Sequence, residues 1–169
     1  MKKRLIALAL LSAASGSSIA ATATYTASVN AISDASITNT TPLHFGAMQP
    51  QVGAACTMAD DGSVGGDCDA ADANIAIGLV TVSSLSANTP MNITVTGSGG
   101  ANVDFDAEYD INNATNPHIN IADSTTTSIV TNGTADDITI DVYGVMTVTT
   151  ALTPGSTYTA DYVVDVTFQ

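Results

Sequence analysis

Apolar and polar residues alternate along much of this chain, which predicts β-strands with one buried and one exposed face. The clearest case is the last strand, whose inward positions are Tyr158, Ala160, Tyr162, Val164, Val166 and Phe168. Further strands are predicted at 36–38, 43–48, 74–82, 91–96, 103–109, 119–121, 128–131 and 138–148. No window beyond residue 20 carries an apolar stripe of helical period.

Proline, glycine and asparagine residues punctuate these segments at turn-like intervals. Many short strands, each with one buried and one exposed face, predict an all-β, immunoglobulin-like β-sandwich. The Ser/Thr/Asn-rich segment 123–137 is interpreted as a long hairpin that contains the short strand 128–131.

The first twenty residues have the layout of a secretory signal peptide. Lys2, Lys3 and Arg4 precede an apolar run, and small residues end the segment at Ser18-Ile19-Ala20. The apolar run is too short for a membrane anchor. We therefore expect export, with 1–20 as signal peptide, 21–32 as an N-terminal arm and 33–169 as one sandwich domain.

The arm alternates strictly and has two interpretations. Its inward positions are Ala23, Tyr25, Ala27, Val29 and Ala31. It is either the first strand of its own sandwich, or a segment that completes the sheet of a neighbouring subunit by strand addition.

Charge excludes several classes of partner. The three basic residues all lie in the signal peptide and the 16 acidic residues lie beyond it, so its removal changes the formal charge from −13 to −16 (−13 − 3). Such a surface cannot neutralise phosphates, so we expect neither nucleic-acid binding nor membrane insertion. Stability must come from burial, hydrogen bonds and covalent links.

Two cysteines on the exported side, Cys56 and Cys68, predict one disulfide. The loop between and just beyond them is rich in glycine and aspartate. It is either a solvated acidic loop or a weak calcium site. The calcium candidates are Asp60, Asp61, Asp67, Asp69 and Asp72.

A second acidic group has period-two spacing and is interpreted as the wet face of one strand. It comprises Asp104, Asp106, Glu108 and Asp110. Glu108 is the only glutamate, the mature chain lacks lysine and arginine, and no catalytic motif is present. We therefore expect no enzyme activity, no catalytic residues and no cofactor apart from the possible calcium ion.

Three stretches resemble a family of secreted bacterial domains of unknown function. They are 35–48, with its Leu-x-Phe-Gly block at Leu43; 142–148, similar to a penultimate G-x-L-x-V strand; and 154–168, similar to a closing strand that ends in V-x-V-x-F. That family is similar to the major subunits of chaperone–usher fimbriae of the alternate, Mat/common-pilus type. The chain departs from the pattern in its cysteine loop, its lack of basic residues and Met146 in place of leucine.

The resemblance implies a structural subunit of an extracellular pilus on a Gram-negative bacterium, polymerised by donor-strand exchange and used for surface attachment and biofilm. The inward arm residues would enter a neighbour's groove. Phe168 and the other inward residues of the last strand would line that groove or contact a periplasmic chaperone. The implied partners are further copies of the chain, that chaperone and an outer-membrane usher. The alternative is a monomeric, calcium-stabilised surface adhesin or binding domain.

Overall fold

The computed structural model describes residues 35–169, and the predicted signal peptide and predicted arm lie outside the described residues. The described part contains ten β-strands and no helix. The strands are β1 (Ser36–Thr41), β2 (Ala55–Met58), β3 (Val64–Gly66), β4 (Gly78–Ser83), β5 (Pro90–Gly97), β6 (Val103–Asn112), β7 (His118–Ala122), β8 (Thr127–Val130), β9 (Ile138–Val148) and β10 (Tyr162–Phe168).

Two antiparallel sheets are present, and β9 organises the larger one. One edge of β9 pairs with β6 along its length, from Val148 opposite Val103 to Thr139 opposite Asn112. Its other edge pairs first with β4 and then with β2. Strands β1, β3 and β7 lie outside β4, β2 and β6, which makes seven strands. The smaller sheet has the order β10-β5-β8.

The core consists of the alternating apolar residues that the sequence marks. On β5, Met91, Ile93 and Val95 are fully buried, and their neighbours Asn92 and Thr94 are not. Strands β6 and β9 follow the same rule over most of their length, because side chains on successive strand residues point to opposite faces, but Asp110 and Tyr143 are buried out of phase. The predicted all-β fold of two packed antiparallel sheets, consistent with a β-sandwich, is confirmed.

Three predicted strands have wrong boundaries. The strand predicted at 74–82 begins only at Gly78. Residues 43–48 form only single bridges at His44 and Met48, because Gly46 has a φ of +77°, which ends extended pairing. The last strand begins at Tyr162 rather than Tyr158. Its partner β5 ends at Gly97, directly opposite Tyr162, so earlier residues have no strand to pair with.

The segment 123–137 is not the hairpin that the sequence suggested. Strand β7 belongs to the larger sheet, and β8 pairs with β5 in the smaller one. Ser124, with a φ of +56°, turns the chain between the sheets and donates its N–H to the Val95 carbonyl at 2.8 Å. The segment therefore crosses from one sheet to the other.

The predicted disulfide between Cys56 and Cys68 is confirmed. It encloses a hairpin, β2–β3, that the sequence analysis had described only as a loop. Cys56 is fully buried on β2, and the Asp67 carboxylate accepts the Ala55 N–H at 3.0 Å. The disulfide therefore ties an edge hairpin to the core of the larger sheet.

Candidate functional site

One lateral side of the two sheets is closed by main-chain contacts. Ala114, after β6, forms a bridge with Thr131, after β8. Next to it, Thr115 donates its N–H to the Val130 carbonyl at 3.0 Å. These bonds and the crossing at Ser124 join the β6–β7 side of the larger sheet to β8 of the smaller one.

The opposite side lies between β1 and β10, and we call it the open side. Gly78 on β4 lies close to both Leu43 and Tyr162. A Cβ atom added to Gly78 would lie 3.1 Å from Leu43 Cβ and 3.2 Å from the Tyr162 hydroxyl. Leu43 follows β1 and Tyr162 begins β10, so the two edge strands flank the same stretch of core. Within residues 35–169, the outer edges of β1 and β10 have no partner strand.

Apolar side chains facing the interior remain uncovered along the open side. Val164 and Val166 lie opposite Val95 and Ile93 of β5, yet they are only partly buried whereas both β5 residues are fully buried. Phe168 ends the strand 40% exposed. Across the gap, Ile37 shares a face with the fully buried Val82 but is 47% exposed.

The direction of the two edges follows from the pairings. The β10 strand starts beside Gly97 and ends beside Met91. The β1 strand starts beside Ser83, at the end of the larger sheet that is nearer Met91, and runs towards Leu43 and Tyr162. The two edges of the open side are therefore antiparallel to each other, with a Tyr162 end and a Phe168 end.

A cleft of about 510 Å³ opens at the Tyr162 end. Its walls are the turn that contains Phe45 and Met48, the inner face of β6 with Phe105, and the irregular segment 152–160, which we call the strap. Phe105 contacts Phe45 and Tyr162 edge to face, with ring centroids 5.7 and 6.2 Å apart. No acidic residue lines it.

The Tyr162 hydroxyl is the one buried side-chain oxygen or nitrogen in residues 35–169 without a hydrogen-bond partner. Burial raises the pKa of this phenol. Buried polar groups in native proteins almost always have a partner, so an orphan group calls for an explanation. Tyr162 thus lines the cleft with its ring, while its unpartnered hydroxyl packs beside Gly78 on β4.

The structure divides the predicted last-strand residues into two groups. Tyr162, Val164, Val166 and Phe168 lie on β10 beside the open side. Tyr158 and Ala160 lie on the strap and line the cleft, where the Tyr158 hydroxyl accepts the Thr153 N–H at 2.8 Å. The predicted arm positions 23–31 fall outside the described residues.

The aspartates of the cysteine loop support local turns. Asp61, Asp69 and Asp72 accept backbone N–H groups of Ser63, Ala71 and Asn74. The pKa of Asp61 is lowered by its bonds to the side chain and then the backbone N–H of Ser63, and the pKa of Asp72 is lowered chiefly by its bond to the Asn74 N–H. Across residues 35–169 no three potential ligands are grouped to hold a metal ion.

The acidic residues of β6 do not all lie on a wet face. Asp104 and Asp106 are exposed as predicted, but Asp110 is only 9% exposed. Its carboxylate accepts the Tyr143 hydroxyl at 2.6 Å and the Asn120 N–H at 2.7 Å. Burial and the bond to Asp110 raise the pKa of Tyr143. The period-two pattern gave no signal for this, because alternation along β6 does not show that Asn120 of β7 and Tyr143 of β9 bind the Asp110 carboxylate.

A comparison with known protein families, characterised proteins and solved structures finds no match. In the described part of the chain, no helix is long and apolar enough to cross a membrane. The site must therefore be interpreted from its own geometry.

Proposed function

We propose that the chain is the structural subunit of an extracellular filament, in which the arm of one copy enters the open side of the next. The observation that carries the proposal is the uncovered inner face of β10, with its unpaired outer edge. An inserted strand would cover Val164, Val166 and Phe168 and would give main-chain partners to both edges.

The charge distribution of the chain favours an inserted strand as the contact between two copies. Beyond Arg4 the chain has no lysine or arginine, so two copies cannot attract each other through ion pairs. The arm 21–32 contains no charged residue, and apolar burial with main-chain hydrogen bonds needs none. Because the arm and the open side are different surfaces, the contact is heterologous, and a heterologous contact whose rotation does not close a ring generates a filament.

An exposed apolar edge strand is an aggregation hazard before assembly. The proposal therefore includes a periplasmic chaperone that covers β10 and an outer-membrane usher that passes subunits outwards, on a Gram-negative cell. Surface attachment and biofilm formation are the roles such a filament would serve. The proposal includes no catalytic role.

Electron microscopy of negatively stained, exported protein tests the proposal. We expect filaments from the full mature chain and none from a chain that starts at Ser33. Val29→Asp places a charge on the inward face of the arm and should abolish filaments. Its matched control, Ser28→Asp, adds the same charge to the outward face and should leave them intact. Folded monomers from the unaltered chain would refute the proposal.

One observation favours a second candidate, a monomeric surface adhesin or binding domain. Residue 35 lies at the Phe168 end, so the arm could fold back beside its own β1 through a short hairpin connection. Size-exclusion chromatography with light scattering would then show only monomers. The calcium-stabilised form of this candidate requires that EDTA lower the melting temperature, and that Asp67→Asn with Asp69→Asn remove that effect.

A further inference from the structure

We infer that the cleft at the Tyr162 end is the binding site for Tyr25 of the arm, and that the arm consequently runs parallel to β10. The inference rests on the proposed function for its occupant, the arm of a second copy. It adds which side chain fixes the position of the arm and in which direction the arm lies.

Size and chemistry single out Tyr25. The other four inward residues of the arm are alanine or valine, so Tyr25 alone brings a ring. The cleft, about 510 Å³, is within the range of pockets that bury a ligand, and its Phe45, Phe105 and Tyr162 rings suit edge-to-face contact. An uncharged arm also matches a cleft without acidic residues in an otherwise strongly acidic chain.

The orphan hydroxyl gives an independent reason. Tyr162 has a buried hydroxyl with no partner among the described residues. Tyr25 is the only inward arm residue whose side chain has a polar atom. A phenol hydroxyl both donates and accepts, so two phenols can satisfy each other. Tyr25 therefore supplies the volume that the cleft lacks, and its hydroxyl partners the Tyr162 hydroxyl when that ring turns from Gly78 towards the cleft.

Direction follows from the spacing. With Tyr25 beside Tyr162, a parallel arm places Ala27, Val29 and Ala31 beside Val164, Val166 and Phe168, because both strands advance two residues per inward position. An arm in the opposite direction would place Ala27, Val29 and Ala31 along the strap, and would leave only its first residues, up to Ala23, beside Val164 and Val166. The parallel arm is also antiparallel to β1, so both edges of the open side gain a partner.

Cysteine pairs test the direction. Ala31→Cys with Phe168→Cys should form a disulfide between copies, seen as a ladder of covalent multimers from oxidised filaments on a non-reducing gel. The control, Ala27→Cys with Ala160→Cys, joins positions that meet only if the arm runs the other way with Tyr25 still beside Tyr162, and should give no ladder. The native disulfide lies within one chain and links no copies.

The cross-linking results distinguish failure of this inference from failure of the proposed function. Filaments in which the 27–160 pair cross-links, or neither pair does, would overturn the inference and leave the proposed function standing. A 31–168 bond within a single chain, without filaments, would overturn the proposed function and support the direction of the arm.

The hydroxyl pair is tested by the concentration of unassembled subunit in equilibrium with filaments. Tyr25→Phe and Tyr162→Phe should each raise it about fivefold, the typical value of one hydrogen bond. The double variant should raise it no further, because either single change already breaks the bond. Tyr25→Ala, which also empties the cleft, should raise it by about a hundredfold or more. Independent, multiplying effects of the two Phe variants would overturn the pairing.

Discussion

Two aspartates face each other across the larger sheet, and replacing one of them should stabilise the protein. Asp141 on β9 lies directly opposite Asp110 on β6. The Asp110 carboxylate is held by the Tyr143 hydroxyl and the Asn120 N–H. Asp141 is partly buried, and its pKa is raised by that burial and by the charge of Asp110. With no basic side chain beyond residue 4, no cation offsets the repulsion.

The expected gain from Asp141→Asn is small but measurable. Like charges directly opposite on neighbouring strands destabilise by roughly 0.2–1 kcal/mol, and Asp141 is exposed enough for solvent to screen part of that. The bond from the Asn112 side-chain amide to Asp141, 2.9 Å, survives because the new amide keeps an acceptor oxygen. We expect a free energy of unfolding higher by about 0.5 kcal/mol at pH 7, or about 2 °C in melting temperature.

The pH dependence of the stability difference between the variant and the unaltered protein tests this explanation. A carboxyl pKa raised by folding contributes stability that is complete below the unfolded value of 3.8 and is lost as pH rises through the folded pKa. The variant should therefore match the unaltered protein at pH 3 and exceed it above about pH 5. Thermal melting followed by circular dichroism from pH 3 to 7 measures the difference.

The control for this prediction is Asp104→Asn. Asp104 is exposed on the same strand and lies opposite Thr147, so its replacement removes one charge without relieving a close pair. A gain at pH 7 from Asp104→Asn equal to that from Asp141→Asn would mean that overall charge, not the pair, is responsible. A less stable Asp141→Asn variant at pH 7 would refute the reasoning outright.

Three further predictions concern the core. Tyr143→Phe removes the hydroxyl that donates to Asp110 and should cost about 1.5–3 kcal/mol in urea denaturation; an unchanged midpoint would contradict this. Gly144→Ala should cost about 3 kcal/mol or more, because φ is +130° and the new Cβ would lie 2.9 Å from the Glu108 nitrogen. Gly65→Ala, where nothing lies within 4 Å, should cost less than about 0.5 kcal/mol. Reducing the disulfide should lower stability by about 3 kcal/mol, seen as a urea midpoint that falls with added reductant.

Residue alternation was sufficient to predict the strands that form the centre of each sheet. Strands such as β4 and β5 bury every second residue, so the buried face can be read directly from their sequence. The β2–β3 hairpin shows no such pattern, because Gly65 and Gly66 carry no side chain to mark a face. The run 43–48, which forms only single bridges, alternates well but contains Gly46, whose positive φ only the fold reveals.

The open side was beyond prediction from periodicity for a different reason. Alternation identifies which residues of β10 point inward, but not whether anything covers them. That depends on pairings such as β10 with β5 and β1 with β4, which join residues far apart in sequence. The buried Asp110 was missed likewise, since Asn120 and Tyr143 reach it from other strands.

The acidic composition and the open side together define what kind of contact between copies is physically available. Copies that carry about sixteen negative charges repel at long range, but at 0.15 M salt the repulsion is screened beyond about 8 Å. What remains at contact must be attraction without charge. The uncovered valines of β10, an uncharged cleft and two unpaired main-chain edges provide it on one side of the sandwich. An uncharged alternating arm is the segment of this chain whose chemistry matches all three.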